Sequence, residues 1–249
     1  KNLKKVDLAI NVAAESHVDN SFGSSMLFTK TNTLGTHFFL EACRKQNVKK
    51  IIHVSTDEVY GENLGKPYKE NQSLNPTNPY SASKAGADMM VNAYKKSFKL
   101  NIITVRANNI YGTRQYPEKL ISKTIYNFIN KKKMTIHGKG NNLRFYLSVD
   151  DFCDGILKII LKGKKKEIYN IASDRKYKVI EVVNLIAQKL RVNLKKNIRF
   201  IKDRPFNDKI YKINCDKLKK LNWSVQRNLD ADVSSICDWY KANNKIFKK

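Results

Sequence analysis

The sequence predicts an α/β fold in which buried parallel strands alternate with helices, followed by a smaller mixed lobe. Two observations carry this expectation. Short apolar runs at 51–54 and 102–105 read as buried strands, separated by stretches of helical spacing. Polar residues also follow those runs at once: Thr56, Asp57 and Glu58 after the first, Asn108 and Asn109 after the second. Open α/β sheets bind their ligands at such carboxyl ends.

The elements follow in order. Residues 6–12 form a short apolar strand leading into Ala13-Ala-Glu-Ser-His-Val-Asp19, whose small residues let the backbone approach a ligand closely. Residues 34–43 have helical spacing and precede the strand at 51–54. The polar stretch 62–79, with Pro67, Pro76 and Pro79, is a loop. A helix over 81–98 opens beside Tyr80 and Lys84, which lie four residues apart and so share one helix face. Asn108 and Asn109 close the strand at 102–105 with two amides suited to carboxamide, hydroxyl or phosphate groups. Beyond residue 112 the alternation loosens: helix 118–130, strand 134–137, a Gly-rich turn, helix 151–161, strand 168–171, helix 179–190, strand 198–201 and a last amphipathic helix near 230–242. The expected organisation is a nucleotide-binding domain over 1–112 and a second lobe over 113–249, interleaved with the first.

Composition narrows the function classes. With 41% hydrophobic residues in 249, the chain can bury a sizeable core. No apolar run is long enough to span a membrane and no signal-peptide pattern occurs. The four cysteines have no metal-ligand spacing; they read as reduced thiols, which points to a cytoplasmic protein without a metal site. The net charge of +26 raises nucleic acid as a partner. Its lysines, however, are scattered over helix ends, turns and both termini, with no zinc, zipper or stacking motif, so solvated faces are the better reading. Such a charge still attracts anionic sugar nucleotides. A dinucleotide fold also needs a Gly-rich turn after its first strand, and no G-x-x-G-x-x-G occurs. The expectation is therefore that a preceding amino-terminal segment supplies it.

Several motifs run together: Ala13-Ala-Glu-Ser-His-Val-Asp19, Ser55-Thr-Asp-Glu-Val-Tyr-Gly61, Tyr80-Ser-Ala-Ser-Lys84, Asn108-Asn-Ile-Tyr-Gly112, Pro117-Glu-Lys-Leu120, Arg144, Tyr169-Asn-Ile171 and Asp203-Arg-Pro205. In combination they resemble the extended short-chain dehydrogenases, and more narrowly the nucleotide-sugar 4,6-dehydratases. The resemblance implies a Rossmann-like NAD-binding sheet and a lyase that converts a nucleotide hexose to its 4-keto-6-deoxy form. Thymidine-nucleotide members tend to have Pro-Ile-Tyr-Gly and Asp-Arg-Pro-Gly-His, whereas this chain has Thr135-Ile-His-Gly138 and Asp203-Arg-Pro-Phe-Asn207. These departures, with Asp19-Asn-Ser-Phe-Gly23, are similar to the UDP-glucose 4,6-dehydratase domain of plant-type rhamnose synthases. UDP-glucose is accordingly the expected substrate and dTDP-glucose the alternative, in rhamnose or other deoxysugar biosynthesis.

By this resemblance Tyr80 is the base at the C4 hydroxyl, assisted by Thr56, with Lys84 lowering the tyrosine's pKa. Glu58 takes the C5 proton and Asp57 protonates the departing C6 hydroxyl, which requires a raised carboxyl pKa. Val12, Ala13, Ala14, Thr31, Tyr80, Lys84 and Asn109 match cofactor-contacting positions. Ser16, Thr56, Asn108, Lys119, Leu120, Thr135, Ile136, His137, Arg144, Asn170, Asp203, Arg204 and Asn207 match sugar-nucleotide contacts, the cations suiting a diphosphate. His17 is assigned no proton transfer. Relatives pair as homodimers through helices matching segments near 33–46 and 81–98.

Each assignment has a plainer counterpart. Asp57 and Glu58 could cap a helix, Tyr80 could be a packed aromatic, and Asn108 and Asn109 could be turn formers. A 4-epimerase of the same fold would share Tyr80 and Lys84 without needing the Asp-Glu pair. A sugar-acid decarboxylase often has serine at the position of Asp57. Outside the enzymes, an idle dinucleotide sensor or a basic nucleic-acid-binding protein remain as alternatives.

Overall fold

The computed structural model describes residues 6–247. In chain order the elements are β1 (Leu8–Asn11), α1 (Val18–Gly23), α2 (Ser25–Phe28), a π-helical turn (Thr29–Leu34), α3 (Gly35–Lys45), β2 (Lys50–Thr56), a 3-10 turn (Asp57–Tyr60), α4 (Pro79–Ser97) and β3 (Ile102–Ala107). They continue as β4 (Asn109–Tyr111), α5 (Leu120–Ile129), β5 (Met134–His137), β6 (Leu143–Ser148), α6 (Val149–Lys162), β7 (Ile168–Ile171), β8 (Lys176–Lys178), α7 (Val179–Leu190), α8 (Leu194–Asn197), β9 (Ile198–Ile201), α9 (Asp216–Lys219), α10 (Leu229–Ala242) and a closing 3-10 turn (Asn244–Phe247). The chain divides into two compact units: 1–108 with 154–172 and 212–223, and 109–153 with 173–211 and 224–249.

The first unit is built on a parallel sheet of order β1-β2-β3-β7. Burial on both faces is why β2 and β3 read as near-continuous apolar runs rather than alternating ones. Leu40 and Cys43 of α3 and Val91 and Tyr94 of α4 pack with Ile51 and Ile102 to form its core. The Asn78 side chain caps α4 by accepting from Ser81 N at 2.9 Å, and Pro79 occupies the first turn, where its missing N–H costs nothing. That cap fixes the start of α4 at residue 79 and so orients Tyr80 and Lys84.

Helix termination has an unusual chemistry here. Asn47, Lys99, Lys131 and Arg191 follow α3, α4, α5 and α7 with positive φ, at positions that glycine usually takes. Val48, Lys132 and Val192 then donate back to the Cys43, Asn127 and Ala187 carbonyls at 3.0, 2.8 and 2.9 Å. Those hydrogen bonds satisfy the orphan carbonyls and offset the strain of a left-handed non-glycine residue.

The second unit has a three-stranded sheet, β4-β6-β8, and a parallel pair, β5-β9. Ile125 and Phe128 of α5, Val182 and Ile186 of α7, and Val233 and Ile236 of α10 close over Met134 and Ile136. Strands β4, β6 and β8 were not legible as strands, because their three- to six-residue segments lie among tyrosines, lysines and turns.

Candidate active site

β2 ends at Thr56, and the chain turns at once into the 3-10 segment that carries Asp57 and Glu58. Thr56 caps that turn by accepting from Glu58 N at 3.3 Å. Its hydroxyl also donates to Asp57 Oδ1 at 3.2 Å. Asn108, one residue beyond β3, donates from Nδ2 to Asp57 Oδ2 at 2.6 Å. Asn78 Nδ2 donates to Glu58 Oε2 at 3.4 Å. Two adjacent carboxylates are thus held, nearly fully buried, by donors from two strand ends and a helix cap.

The first two turns of α4 complete the cluster. The Tyr80 phenol is buried and hydrogen-bonded to Thr56. Lys84 Nζ donates to the Val54 carbonyl on β2 at 2.8 Å. Burial pulls the Lys84 ammonium down to about 8, against the opposing pull of the Asp88 charge. Tyr80 corrects one expectation. Its phenol is pushed up, first by burial and then by the Glu58 and Asp57 charges, with only the Thr56 hydrogen bond acting the other way. Lys84 does not lower it in this structure, because desolvation and two carboxylates outweigh any help from the ammonium.

The loop after β1 is fixed from the side. Asn32, in the π-helical turn, donates to the Glu15 carbonyl at 2.9 Å and accepts from Glu15 N at 2.8 Å. Its amide also donates to Ser83 Oγ at 2.8 Å, tying the loop to α4. Val12 and Ala13 stand exposed at the end of β1, Ala14, Ser16 and His17 are half-buried, and Thr31 is half-buried in the π-helical turn beside Asn32.

Asn170 does not join the cluster. It is fully buried in β7, where its side chain accepts from Tyr60 Oη at 2.9 Å and donates to the Tyr68 and Asn214 carbonyls at 3.2 and 3.0 Å. It is a strut of the loop rather than a ligand contact, and that expectation is withdrawn. Ile136 is likewise corrected: it is a core residue of the second unit, 1% exposed. Leu120 packs against the same core.

Within the second unit, Arg144 of β6 and His137 of β5 are both tied to the segment that follows β9. Arg144 donates from Nη2 to Asn207 Oδ1 at 3.0 Å, and Asn207 donates from Nδ2 to Asp203 Oδ1 at 2.8 Å. The guanidinium lies over the Tyr211 ring, 5.1 Å from its centroid. His137 Nδ1 is 3.3 Å from the Lys202 carbonyl, and Arg204 N donates to Asp203 at 2.8 Å. Gly138, at φ +55°, leaves room for the Asp203 carboxylate, which a Cβ there would meet at 2.7 Å. Lys119 precedes α5 as its N-cap residue and, like Thr135 and Asn109, is half-buried.

Sequence reasoning missed Asn32, Asn78 and Asp88. Asn78 carried a readable signal, Asn-Pro followed by Ser81 at the third helical position. Asp88 carried a weaker one, a carboxylate one turn after Lys84. Asn32 carried none.

Residues 2–236 match the GDP-mannose 4,6 dehydratase family. The chain belongs to this family. Among its relatives, a trifunctional UDP-glucose 4,6-dehydratase/UDP-4-keto-6-deoxy-D-glucose 3,5-epimerase/UDP-4-keto-L-rhamnose-reductase of Arabidopsis thaliana is 43% identical over 244 residues, covering 96% of this chain and 37% of the relative. A dTDP-D-glucose 4,6-dehydratase of Dictyostelium discoideum is 41% identical, covering 98% and 66%. The chain therefore spans just under two thirds of the second relative's length and little more than a third of the first's. Among solved structures, a dTDP-glucose 4,6-dehydratase of Streptomyces venezuelae crystallised with NAD superposes with a TM-score of 0.94 at 32% identity, covering 98% of this chain and 76% of that one. Membership of the dehydratase family agrees with the resemblance carried by the motifs. The Rossmann-like parallel sheet it implied is also the one observed. Among the described residues, no helix is long and apolar enough to cross a membrane.

Proposed function

We propose that the chain carries the catalytic core of a nucleotide-sugar 4,6-dehydratase, a hydro-lyase that acts on UDP-glucose or dTDP-glucose with NAD as cofactor. The observation that supports this most is Asp57 beside Glu58 at the end of β2, in the same buried cluster as Tyr80 and Lys84. An epimerase has no use for an acid and a base at adjacent carbons.

The chain's own residues fit a dinucleotide. Val12 and Ala13 are exposed at the carboxyl end of β1, offering an apolar and a small surface to a ring. An ammonium has three N–H donors, and Lys84 hydrogen-bonds the protein through the Val54 carbonyl, so further donors can reach a ribose. Val12, Ala13, Ala14, Thr31 and Lys84 would hold the group. When bound, it accepts a hydride from C4 of the sugar and later returns it to C6.

Around that exchange the protein moves protons. Tyr80, hydrogen-bonded to Thr56, takes the C4 hydroxyl proton as the ketone forms; because its phenol is pushed up in this structure, it must first give up its own proton to serve as that base. The ketone acidifies C5, and Glu58 takes that proton. The C5–H electron pair becomes the C5–C6 double bond, the C6–O bond breaks, and Asp57 gives its proton to the departing oxygen, releasing water. Glu58 then returns its proton to C5 as C6 is reduced, so no net oxidation results. Asn108 has a buried side-chain oxygen without a hydrogen-bond partner among the described residues, suited to accepting from a sugar hydroxyl. Ser16 would add a second polar contact to the sugar. Arg144, Arg204 and Lys119 have the charge to hold a diphosphate. Phe38 on α3 and Met89 on α4 are 67% and 52% exposed, which supports a homodimer formed through these helices.

The test is incubation of the complete polypeptide with UDP-glucose and, separately, dTDP-glucose, following loss of one water by mass. Preference for UDP-glucose supports the subgroup reading from His137, Phe206 and Asn207. Preference for dTDP-glucose keeps the mechanism and reverses that reading. C4 inversion without water loss makes the protein an epimerase and removes Asp57 from the chemistry.

A further inference from the structure

Beneath α4 lies a group of buried ionic side chains that the dehydration steps do not use. Asp88 follows Lys84 by one helical turn, and both are buried. Arg106 of β3 donates from Nε to Asp88 Oδ2 at 2.9 Å, their side chains 5% and 2% exposed. His53 of β2 brings Nε2 to 3.4 Å from Asp88 Oδ1. On its other side, His53 Nδ1 lies 3.4 Å from Asn11 Nδ2 of β1. Arg106 also covers the Tyr60 ring at 4.7 Å and reaches the Glu70 carbonyl at 3.5 Å. One array thereby joins β1, β2, β3, α4 and the chain that follows Glu58.

Stability is a poor account of such a group. A buried ion pair is often no better than apolar side chains of the same volume. Lys84 gives a better one. Its ammonium is buried with a neutral carbonyl as its hydrogen-bond acceptor, and one carbonyl dipole does not replace the water that a cation loses. Asp88 is the anion one turn away on the same helix. It is ionised: burial alone would raise its carboxyl, but His53 and Arg106 bring it down to about 2. The groups that face it are His53 from β2, whose imidazole is pushed down chiefly by burial, Arg106 from β3, and Lys84 and Lys95 from α4 itself. Lys95 is engaged with Thr104 Oγ1 at 2.9 Å.

We propose that Asp88 is a positioning residue for Lys84: clamped by Arg106 and flanked by His53 under α4, its carboxylate keeps the buried ammonium charged and seated beside Tyr80. This deepens the dehydratase reading, in which Lys84 acts as a cation, yet the coupling itself is a property of the folded chain.

The experiment labels the lysines of the complete polypeptide with 13C at Cε and follows the Lys84 titration by NMR, assigned by its loss in Lys84→Met. Two variants are compared with the parent: Asp88→Asn, and Asp88→Asn with Arg106→Met, which leaves no lone guanidinium in the core. Lys84 is expected to titrate about one pH unit lower in both. A parent-like titration in the double variant overturns the proposal, since Asp88 would then matter only by holding Arg106. An unchanged titration in Asp88→Asn overturns it as well, and if that variant does not fold, the double variant decides alone. A lowered Lys84 titration in a chain that never dehydrates a sugar nucleotide rejects the functional reading and keeps this one.

Discussion

Asn108 donates its side-chain amide to the Asp57 carboxylate at 2.6 Å, and both groups are buried. Thr56 donates to the other carboxylate oxygen at 3.2 Å. Donors at both oxygens fix where Asp57 points. Asp57→Asn conserves the volume and can still present an oxygen to Asn108. The expected result is cofactor and sugar-nucleotide binding within about threefold of the parent, with elimination slower by about 10²- to 10⁴-fold. Calorimetry and single-turnover water loss measure the two quantities. Unchanged turnover would remove Asp57 from the mechanism.

Two buried lysines set a pH dependence of stability. Lys84 and Lys95 are each pulled down to about 8, chiefly by burial, from an ordinary value of 10.5. Between those limits the unfolded chain binds more protons than the folded one, so stability rises with pH from about 8 towards 10. The gain per site is at most about 3 kcal/mol. Above pH 10 the raised phenols of Tyr94 and Tyr240, both pushed up to about 12, act in the opposite sense because the unfolded tyrosines ionise first. Urea midpoints at pH 7.5, 8.5 and 9.5 should climb, and Lys84→Met should flatten the climb. A falling midpoint across that range contradicts the burial of both ammonium groups.

The legible parts were those where one local signal sufficed. β5, β7, α7 and β9 follow the expected ranges, and for β5 and β9 the apolar run is bounded plainly, by Lys133 and Gly138 and by Asn197 and Lys202. Thr56, Asp57, Glu58, Tyr80 and Lys84 could be placed at a strand end and on one helix face by period, and it was their motifs in combination that carried the resemblance. What was hidden depends on contacts between distant segments. Asn32 lies 51 residues from the Ser83 hydroxyl that it holds, and Asp88 needs His53 and Arg106 from two other strands. The Tyr80 pKa was misjudged for the same reason: helix spacing showed Lys84, but not the burial that dominates.

Gly61 closes the 3-10 turn at φ +79° and ψ −176°, a conformation open almost only to glycine. An added Cβ would also sit 2.2 Å from the Asn75 carbonyl oxygen, in backbone that Asn75 N ties to Val59 at 3.0 Å. Neither partner can step aside without moving Asp57 and Glu58. Gly61→Ala should therefore lower unfolding stability by about 3 kcal/mol or more, read from urea denaturation. A loss under about 1 kcal/mol would show that the loop at 62–78 yields.

The Arg144 guanidinium is held from several sides. Leu143 O accepts from Nη1 at 2.9 Å, Asn207 Oδ1 accepts from Nη2 at 3.0 Å, and the Tyr211 ring supports the guanidinium face. Asn207 is in turn fixed by Asp203 at 2.8 Å, so the loop after β9 sets the guanidinium plane. Replacing Asn207 with leucine removes that hydrogen bond and leaves the charge. A diphosphate grip made equally in ground and transition states would then weaken uniformly. KM for the sugar nucleotide should rise about tenfold with kcat unchanged within about twofold. Arg144→Lys, which keeps the charge but loses the planar fork, should raise KM further. A fall in kcat at constant KM in Asn207→Leu would instead tie this loop to the chemical steps and remove it from nucleotide binding.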